Sequence, residues 1–140
     1  MSSETRALPV ATDLTRPFWL AAKEGKLVVQ HCISCNKNQF FPRPFCLHCM
    51  SSELEWIQSN GTGTIYTFTI NRRGSDPYMN ARVPYAVAMI ELDEGVRLMA
   101  NIVDSVLEQI QIGGRVHVTF EALTEHISLP QFRLTSDQTV

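Results

Sequence analysis

The sequence predicts a mainly β protein in two parts: an N-terminal helix with a small four-cysteine ribbon, and a five-stranded barrel. Three observations predict it: two Cys-x2-Cys pairs near the N-terminus, short alternating apolar segments after residue 60, and a tight-turn signal between two of those segments. We expect a loose tail at 1–13, the helix and ribbon at 14–52, the barrel at 53–134 and a second tail at 135–140.

Residues 14–25 carry the signals of a short helix. Thr15 suits the N-cap, Pro17 the first turn, and Gly25 the position just past the end. Apolar side chains cover most of the helix circumference, namely Leu14, Phe18, Trp19, Leu20, Ala21 and Ala22. Such a helix has to be covered, either by its own domain or by a partner subunit or an acyl chain.

The other elements are strands. We expect two short strands beside the cysteines, at 27–30 and 39–41, and five more at 64–70, 85–92, 96–103, 115–120 and 129–134. In the first of these five, the alternation places Tyr66, Phe68 and Ile70 on one face. The last contains Pro130, which suits an edge strand.

Two connections between the strands have recognisable signals. Residues 93–95 (Asp-Glu-Gly) predict a tight hairpin, and residues 104–112 predict a short helical turn with Val106, Leu107 and Ile110 facing inward. Five mostly antiparallel strands with one helical connection between the third and the fourth fit a barrel of the OB type. The same pattern also fits an open sandwich.

The four cysteines form two pairs separated by ten residues. Each pair wraps one side of a tetrahedral ion, and the segment between the pairs, with its aromatics and two prolines, is long enough for a hairpin that brings them together. The pattern predicts a zinc ribbon with the ligands Cys32, Cys35, Cys46 and Cys49.

The zinc is expected to be structural, because four protein ligands leave no open position for the water or substrate that catalytic zinc requires. Four thiolates also hold iron, so the spacing leaves the choice of metal open. His31 and His48 lie beside the ligands and are interpreted as surface neighbours. The turn after such a pair often uses glycine at positive φ, and this chain has Asn36 and Met50 there.

Composition excludes several classes of protein. The formal net charge of −2 is the sum of +3 over residues 1–52 and −5 over residues 53–140. An acidic barrel argues against a protein built to bind a polyanion. The sequence shows no apolar run long enough for a membrane span and no secretory signal, so we expect a cytoplasmic protein with reduced cysteines.

No catalytic residues are predicted. All four cysteines are committed to the metal, which leaves no free thiol for acyl transfer. His117 and His126 are interpreted as solvated surface groups, and the acidic residues of the hairpin likewise. Three arginines are candidates for contact with a phosphorylated ligand: Arg43 in the ribbon, and Arg72 and Arg73 at the end of the first barrel strand.

The order of these elements resembles a known family. The segments that carry the resemblance are PFWLAAKEGKLVVQHCISC, FFPRPFCLHC, ELEW, GTGTIYTFTI, PYAVAMIELDEGVRLMANIV, IGGRVHVTF and LPQFR. From about Arg16 to Arg133, the chain resembles the acyl-CoA-associated family that joins an N-terminal helix and a rubredoxin-like zinc ribbon to a C-terminal OB-fold. The resemblance favours the barrel over the sandwich. In that family, glycine usually stands at the two turn positions that Asn36 and Met50 occupy here.

The resemblance also implies an accessory function. Members of that family are typically small subunits of thiolase-like enzymes, or sometimes of hydratases or aldolases, that act on acyl-CoA. The partner carries the catalytic residues, and the small subunit shapes or bridges the acyl-CoA channel and stabilises the assembly. On this basis we expect Phe18 and Trp19 at the partner interface, and Arg43, Arg72 and Arg73 near the CoA phosphates.

Two other functions stay open. OB-folds and zinc ribbons both recur in single-stranded nucleic-acid binding, although the acidic barrel and the absence of aromatics interleaved with Lys or Arg in its strands count against that function. A rubredoxin-like redox protein would hold iron instead of zinc.

Overall fold

A computed structural model describes residues 8–74 and 76–135 of the chain. The predicted tails lie largely outside these residues. The described elements, in chain order, are α1 (Arg16–Lys23), β1 (Val28–Cys32), β2 (Asn38–Gln39), β3 (Leu54–Gln58), β4 (Thr62–Asn71), α2 (Pro77–Asn80), β5 (Tyr85–Leu92), β6 (Arg97–Ile102), a 3-10 turn (Leu107–Gln109), β7 (Arg115–Ala122) and β8 (Ser128–Leu134). None of the described helices has the length and apolarity needed to cross a membrane.

Helix α1 is where the sequence predicts it, with Pro17 in its first turn and Gly25 at a φ of 79° just past its end. Thr15 occupies the N-cap position, but its side chain makes no hydrogen bond to the helix. Instead, the Thr15 hydroxyl oxygen accepts a 2.9 Å hydrogen bond from the Thr12 backbone N–H. The threonine therefore fixes the chain entering the helix rather than the first helical turn.

Three short strands form the ribbon sheet, in the order β2-β1-β3, with both pairings antiparallel. The longer pairing joins β1 to β3, from Val28↔Gln58 to Cys32↔Leu54. Strand β3 lies within the range expected for the barrel, yet its strand partner is β1 of the ribbon. The first strand of the barrel itself is therefore β4.

The other five strands form a closed barrel in the order β4-β5-β6-β8-β7. The short 3-10 turn connects the third and fourth barrel strands, as expected for the OB type. Closure between β6 and β8 is by one parallel pair, Ile102↔Phe132. Pro130 lies on the part of β8 that pairs with β7 alone, which is the edge position predicted for it. The barrel prediction is confirmed, and the open sandwich is excluded.

Two predicted side-chain directions are wrong, one in a strand and one in the helical connection. The alternation in β4 is interrupted by a bulge between Ile65 and Thr67, so Tyr66 is 49% exposed and does not share the buried side of Phe68 and Ile70. A bulge adds one residue to a strand and thereby reverses which residues face inward. In the helical connection, Val106 is 56% exposed because the regular turn begins one residue later, at Leu107.

One continuous apolar core joins the two parts of the molecule. Its ribbon-side members are Phe18, Leu27 and Val29, and they pack with the interior side chains of the barrel. Those interior residues are Ile65, Ala86, Ala88, Ile90, Leu92, Val96, Leu98, Ile102, Ile110, Val116 and Phe132. Helix α1 is thus covered on one face by its own chain, through Phe18 and Ala22.

The β5–β6 hairpin fastens the ribbon to the barrel through Glu94. Its carboxylate accepts hydrogen bonds from the Ser59 hydroxyl, at 2.7 Å, and from the Asn60 backbone N–H, at 2.9 Å. Its backbone carbonyl accepts a 3.0 Å bond from the Asn38 side-chain amide. Asn38 belongs to β2, so a single hairpin residue contacts both the ribbon sheet and the segment that leads into the barrel.

Candidate metal centre

Two similar turns position the cysteines. After the first pair, the Asn36 N–H donates to the Cys32 carbonyl at 2.8 Å, and after the second, the Met50 N–H donates to the Cys46 carbonyl at 2.9 Å. Asn36 has a φ of 63° and Met50 a φ of 68°. In both turns, therefore, a residue other than glycine has the left-handed conformation that glycine usually adopts there. Asn tolerates this conformation, whereas Met lacks that advantage and is strained there.

The four thiols meet at one point. Their Sγ atoms all lie within 4.8 Å of one another, with Cys32 3.6 Å from Cys49 and Cys35 3.6 Å from Cys46. A tetrahedral ion with Zn–S bonds of about 2.3 Å requires sulfurs about 3.8 Å apart. The cluster therefore fits a four-thiolate metal ion, and the structure joins all four predicted ligands.

The ionisation of the four thiols explains how a cation would stabilise the cluster. Burial raises the pKa of Cys46, but the backbone N–H groups of Cys49 and His48 outweigh it and lower that pKa to about 6. Burial and the neighbouring Cys46 and Cys32 thiols raise the pKa of Cys35 to about 12. Thiolates at this separation repel one another, so the four ionise together only when a metal ion compensates their charge.

The two histidines beside the ligands lie outside the cluster. Nδ1 of His31 is 2.6 Å from Oδ1 of Asn38, across the pairing of β1 with β2. His48 is exposed, and its backbone N–H, at 3.2 Å from the Cys46 sulfur, is the part of the residue that contacts the cluster. Because the protein supplies four ligands, a metal here has no position open for substrate, and its contribution is to folding.

Two buried glutamines hold the loop between the cysteine pairs. Oε1 of Gln30 accepts from the Gln39 amide at 2.7 Å and from the Arg43 N–H at 2.9 Å, and its Nε2 donates to the Arg43 carbonyl at 2.9 Å. Gln39 in turn accepts a 2.9 Å bond from the Leu47 N–H. Their amides thus position both the loop and the second cysteine pair. Sequence reasoning missed these residues; the signal was a glutamine in each of two strands with apolar neighbours, Leu-Val-Val-Gln and Gln-Phe-Phe.

The structure separates the candidate phosphate-binding arginines into two groups. Arg43 is exposed on the ribbon loop. Arg72 and Arg73 follow the end of β4, a strand of ten residues and therefore about 30 Å long. The opposite end of β4 is at Thr62. Its carbonyl accepts a 3.0 Å hydrogen bond from the Asp93 backbone N–H, and the next residue, Glu94, holds the ribbon. The two groups lie at opposite ends of the barrel and do not form one site.

The two residues expected at a partner interface differ in exposure. Phe18 is 7% exposed, with its ring 5.0 Å from that of Trp19 and 5.4 Å from that of Phe40. Any contribution of Phe18 to an interface is therefore to hold the helix in place. Trp19 is half-buried, and Leu20 beside it is 58% exposed. Both line a cleft of about 250 Å³ between α1 and the β7–β8 connection.

Asp93, in the hairpin between β5 and β6, forms an ion pair with Arg115. Both carboxylate oxygens of Asp93 accept 2.9 Å hydrogen bonds from the Arg115 guanidinium. These bonds, together with one from the Thr62 hydroxyl, lower the pKa of Asp93 to about 2. Asp93 is therefore ionised across the physiological range, and its carboxylate is held by Arg115 and Thr62.

Comparison with known protein families divides the chain into two matched regions. Residues 19–55 match the family described as "ChsH2, rubredoxin-like zinc ribbon domain". Residues 56–121 match the family described as "ChsH2, C-terminal OB-fold domain". The matched regions meet at β3, where the ribbon sheet is followed by the barrel.

Two curated relatives are similar over most of the chain. One, named "Probable enoyl-CoA hydratase alpha subunit", from Thermomonospora curvata, is 35% identical over 88% of this chain, and the chain spans only 38% of its length. The other, named "DUF35 domain-containing scaffold protein", from Methanothermobacter thermautotrophicus, is 31% identical over 81% of this chain and is matched over 86% of its own length.

A solved structure matches nearly the whole fold. A chain of the structure titled "Ltp2-ChsH2(DUF35) aldolase" superposes with a TM-score of 0.81 at 31% sequence identity. The match covers 91% of this chain and 98% of that chain. The arrangement of helix, ribbon and barrel is therefore shared as a unit.

Proposed function

Because the chain belongs to the DUF35 family, with a ChsH2-type zinc ribbon and OB-fold, we propose that it is a non-catalytic accessory subunit of an enzyme complex that acts on acyl-CoA. In finer terms, the partner is a thiolase-like acyltransferase. The chain stabilises that assembly and helps to shape or bridge its acyl-CoA channel.

One observation carries the proposal. The structure of the "Ltp2-ChsH2(DUF35) aldolase" contains a chain that this protein matches over 98% of its length. The name of that structure joins two proteins, Ltp2 and ChsH2, and gives an aldolase activity. A chain with this fold is therefore part of an enzyme assembly. The relative named as a hydratase alpha subunit adds acyl-CoA chemistry, although its hydratase activity belongs to a protein more than twice as long as the matched region.

The chemistry of the described residues supports a non-catalytic role. Among residues 8–74 and 76–135, the only group of three or more His, Cys, Asp or Glu side chains placed to hold a metal is the cysteine cluster. We assign zinc to that cluster, as the ion that fits a closed tetrahedral site without redox chemistry. The zinc holds the ribbon folded, and the ribbon presents helix α1.

Two surfaces have separate tasks under this proposal. The exposed side of α1, with Trp19 and Leu20, contacts the partner enzyme, and burial of such apolar side chains provides much of the binding free energy. Arg72 and Arg73, at the opposite end of the barrel, bind CoA phosphates. Arg43 is too far from that pair to contribute to the same phosphate group.

Co-expression with an acyl-CoA enzyme encoded beside the chain tests the proposal. We expect a stable complex whose activity falls at least about tenfold when the chain is omitted, equivalent to about 1.4 kcal/mol. The double variant Arg72→Ala/Arg73→Ala should raise the KM for acyl-CoA with little change in kcat, and Arg43→Ala serves as its matched control.

Three outcomes would overturn the proposal or its details. An enzyme that neither binds the chain nor loses activity without it contradicts the accessory role. Salt-dependent binding of single-stranded DNA by the purified chain at physiological ionic strength would favour the nucleic-acid alternative. Iron in place of zinc in freshly purified protein would contradict the assigned metal.

A further inference from the structure

Strand β6 has one edge that the barrel hardly uses. It pairs with β5 from Glu91↔Arg97 to Ala86↔Ile102. On its other side, among the described residues, β8 pairs with it only at Ile102↔Phe132. The preceding part of β6 therefore faces a gap in the barrel wall.

Hydrogen bonds define which backbone groups of β6 face the gap. The Leu92 N–H donates to the Val96 carbonyl at 2.8 Å, so even-numbered residues of this hairpin bond across to each other. The Asn101 N–H points the other way and donates to Oε1 of Gln131 at 2.8 Å. Backbone groups alternate along a strand, so the N–H and C=O of Arg97 and Met99 also point into the gap.

Strand β8, on the other side of the gap, does not provide the hydrogen bonds that would close it. The Phe132 carbonyl accepts from the Val103 N–H at 2.7 Å, so Pro130, two residues earlier, also turns its carbonyl toward β6. Proline has no N–H to donate. At the narrow end of the gap, the side chain of Gln131, which is 2% exposed, occupies the place of a strand. Toward Arg97 the two strands remain apart.

An apolar cleft of about 260 Å³ lies on the outer side of this gap. Most of its lining is apolar or aromatic, including Tyr85, Val87, Met99 and Leu129, and the side-chain amides of Asn101 and Gln131 also line it. Met99, whose backbone N–H faces the gap and whose side chain lines the cleft, is 66% exposed.

We propose that the gap between β6 and β8 receives an extended segment of the partner enzyme, which adds to β6 as a further strand and places an apolar side chain in the cleft. The exposed backbone groups of β6 indicate what kind of segment binds there. Alternating N–H and C=O groups along an open strand edge are matched by another extended chain, whereas a helix or a small acyl group leaves them unpaired. The partner itself rests on the proposed function; the place and manner of its binding go beyond it.

A proline substitution tests the added strand. Met99→Pro removes the N–H that faces the gap without removing a hydrogen bond to β5, as proline is tolerated on the open side of an edge strand. Met99→Ala is the matched control, because it shortens the side chain and keeps the N–H. We expect Met99→Pro to raise the Kd for the co-purified enzyme at least about tenfold, and Met99→Ala at most about threefold.

Hydrogen exchange on the wild-type complex provides a second measurement, which stays decisive if Met99→Pro does not fold. The amides of Arg97 and Met99 should exchange at least about tenfold more slowly in the complex, while that of Ala100, already bonded to β5, should not change. Wild-type affinity of a folded Met99→Pro together with unprotected amides overturns the added strand and leaves the accessory function intact. Protection in the chain alone, from a second copy, overturns it too. Failure of the wild-type chain to bind any acyl-CoA enzyme refutes both proposals.

Discussion

The ribbon and the barrel solve the same problem of stability by different means. The barrel encloses an apolar interior, with Ile65, Ile90 and Phe132 each fully buried. The ribbon sheet contributes Leu27 and Val29 to that core, but around the loop it buries polar Gln30 and Gln39 and gathers four thiols. Burial scales with size, so a segment of about forty residues has too little apolar surface to stabilise itself without a metal.

This difference shows where each part is vulnerable. Loss of one ligand affects the ribbon as a whole, because metal binding and folding are coupled there. Loss of one apolar side chain in the barrel has a graded effect, because many other contacts remain. Glu94 and the shared core around Phe18 connect the two parts, so a change in one part weakens some contacts of the other without unfolding it.

The largest effect is expected from Cys35→Ser. The variant should lose its metal and leave the ribbon unfolded, with lower solubility and weaker partner binding, while the barrel keeps its β structure. Metal analysis and amide exchange of β1 and β7 measure the two parts separately. Ser34→Ala, at an exposed position in the same turn, is the control. A Cys35→Ser protein that is folded and binds its partner fully would show that the ribbon needs no metal.

The barrel counterpart is Phe132→Ala. Phe132 is fully buried and belongs to the residue pair that closes the barrel, and its truncation should lower the free energy of unfolding by about 3–5 kcal/mol. Chemical denaturation measures the change, and Phe41→Ala, at a 62% exposed position, should leave stability nearly unchanged. The folded variant should retain its metal; loss of the metal before unfolding would mean that the two parts are not separable.

Gln30→Leu tests the polar interior of the ribbon. The substitution keeps the side-chain volume but leaves both backbone groups of Arg43 without their partner, at a cost of about 2 kcal/mol. Faster metal release to a chelator should accompany the loss of stability. Gln58→Leu, on the exposed side of β3, is the matched control, and equal behaviour of the two variants would contradict the role assigned to Gln30.

Met50→Gly is expected to stabilise the ribbon. Glycine relieves the left-handed strain at φ 68°, although it also increases the entropy of the unfolded chain, so the net gain should be about 1 kcal/mol or less. Met50→Ala keeps the strain and is the control. Thermal unfolding of the metal-loaded proteins measures the difference, and a Met50→Gly variant no more stable than Met50→Ala would show that the turn is unstrained.

The smallest effect concerns acid stability of the barrel. The pKa of Asp93 is about 2 in the folded state against 3.8 for the free side chain. Its ion pair with Arg115 therefore stabilises the fold above about pH 4, and this contribution is lost as the pH falls toward 2. Both side chains are more than one third exposed, which limits the contribution to below about 1 kcal/mol. The difference in stability between the wild type and Asp93→Asn should shrink from pH 6 to pH 3; a constant difference would contradict the ion pair.

Local signals in the sequence were sufficient for the helix, the cysteine cluster and most of the barrel. Pro17 and Gly25 delimit α1, and the two cysteine pairs meet as their spacing predicts. The errors arose where a side chain's direction depends on the backbone of its neighbours. The bulge that exposes Tyr66 depends on the pairing of β4 with β5, and no residue pattern within β4 itself announces it.

The sequence by itself determined the four-cysteine cluster, the fold class and the order of elements, because spacing and alternation are properties of neighbouring residues. Only the tertiary structure decided that Arg43 lies far from Arg72 and Arg73, that Gln30 and Gln39 hold the ribbon loop, and that one edge of β6 is open. Each of these depends on which strands become neighbours when the barrel closes. Such contacts between residues distant in sequence are decided by packing of the whole chain, and a local pattern such as a glutamine among apolar residues does not identify the partner.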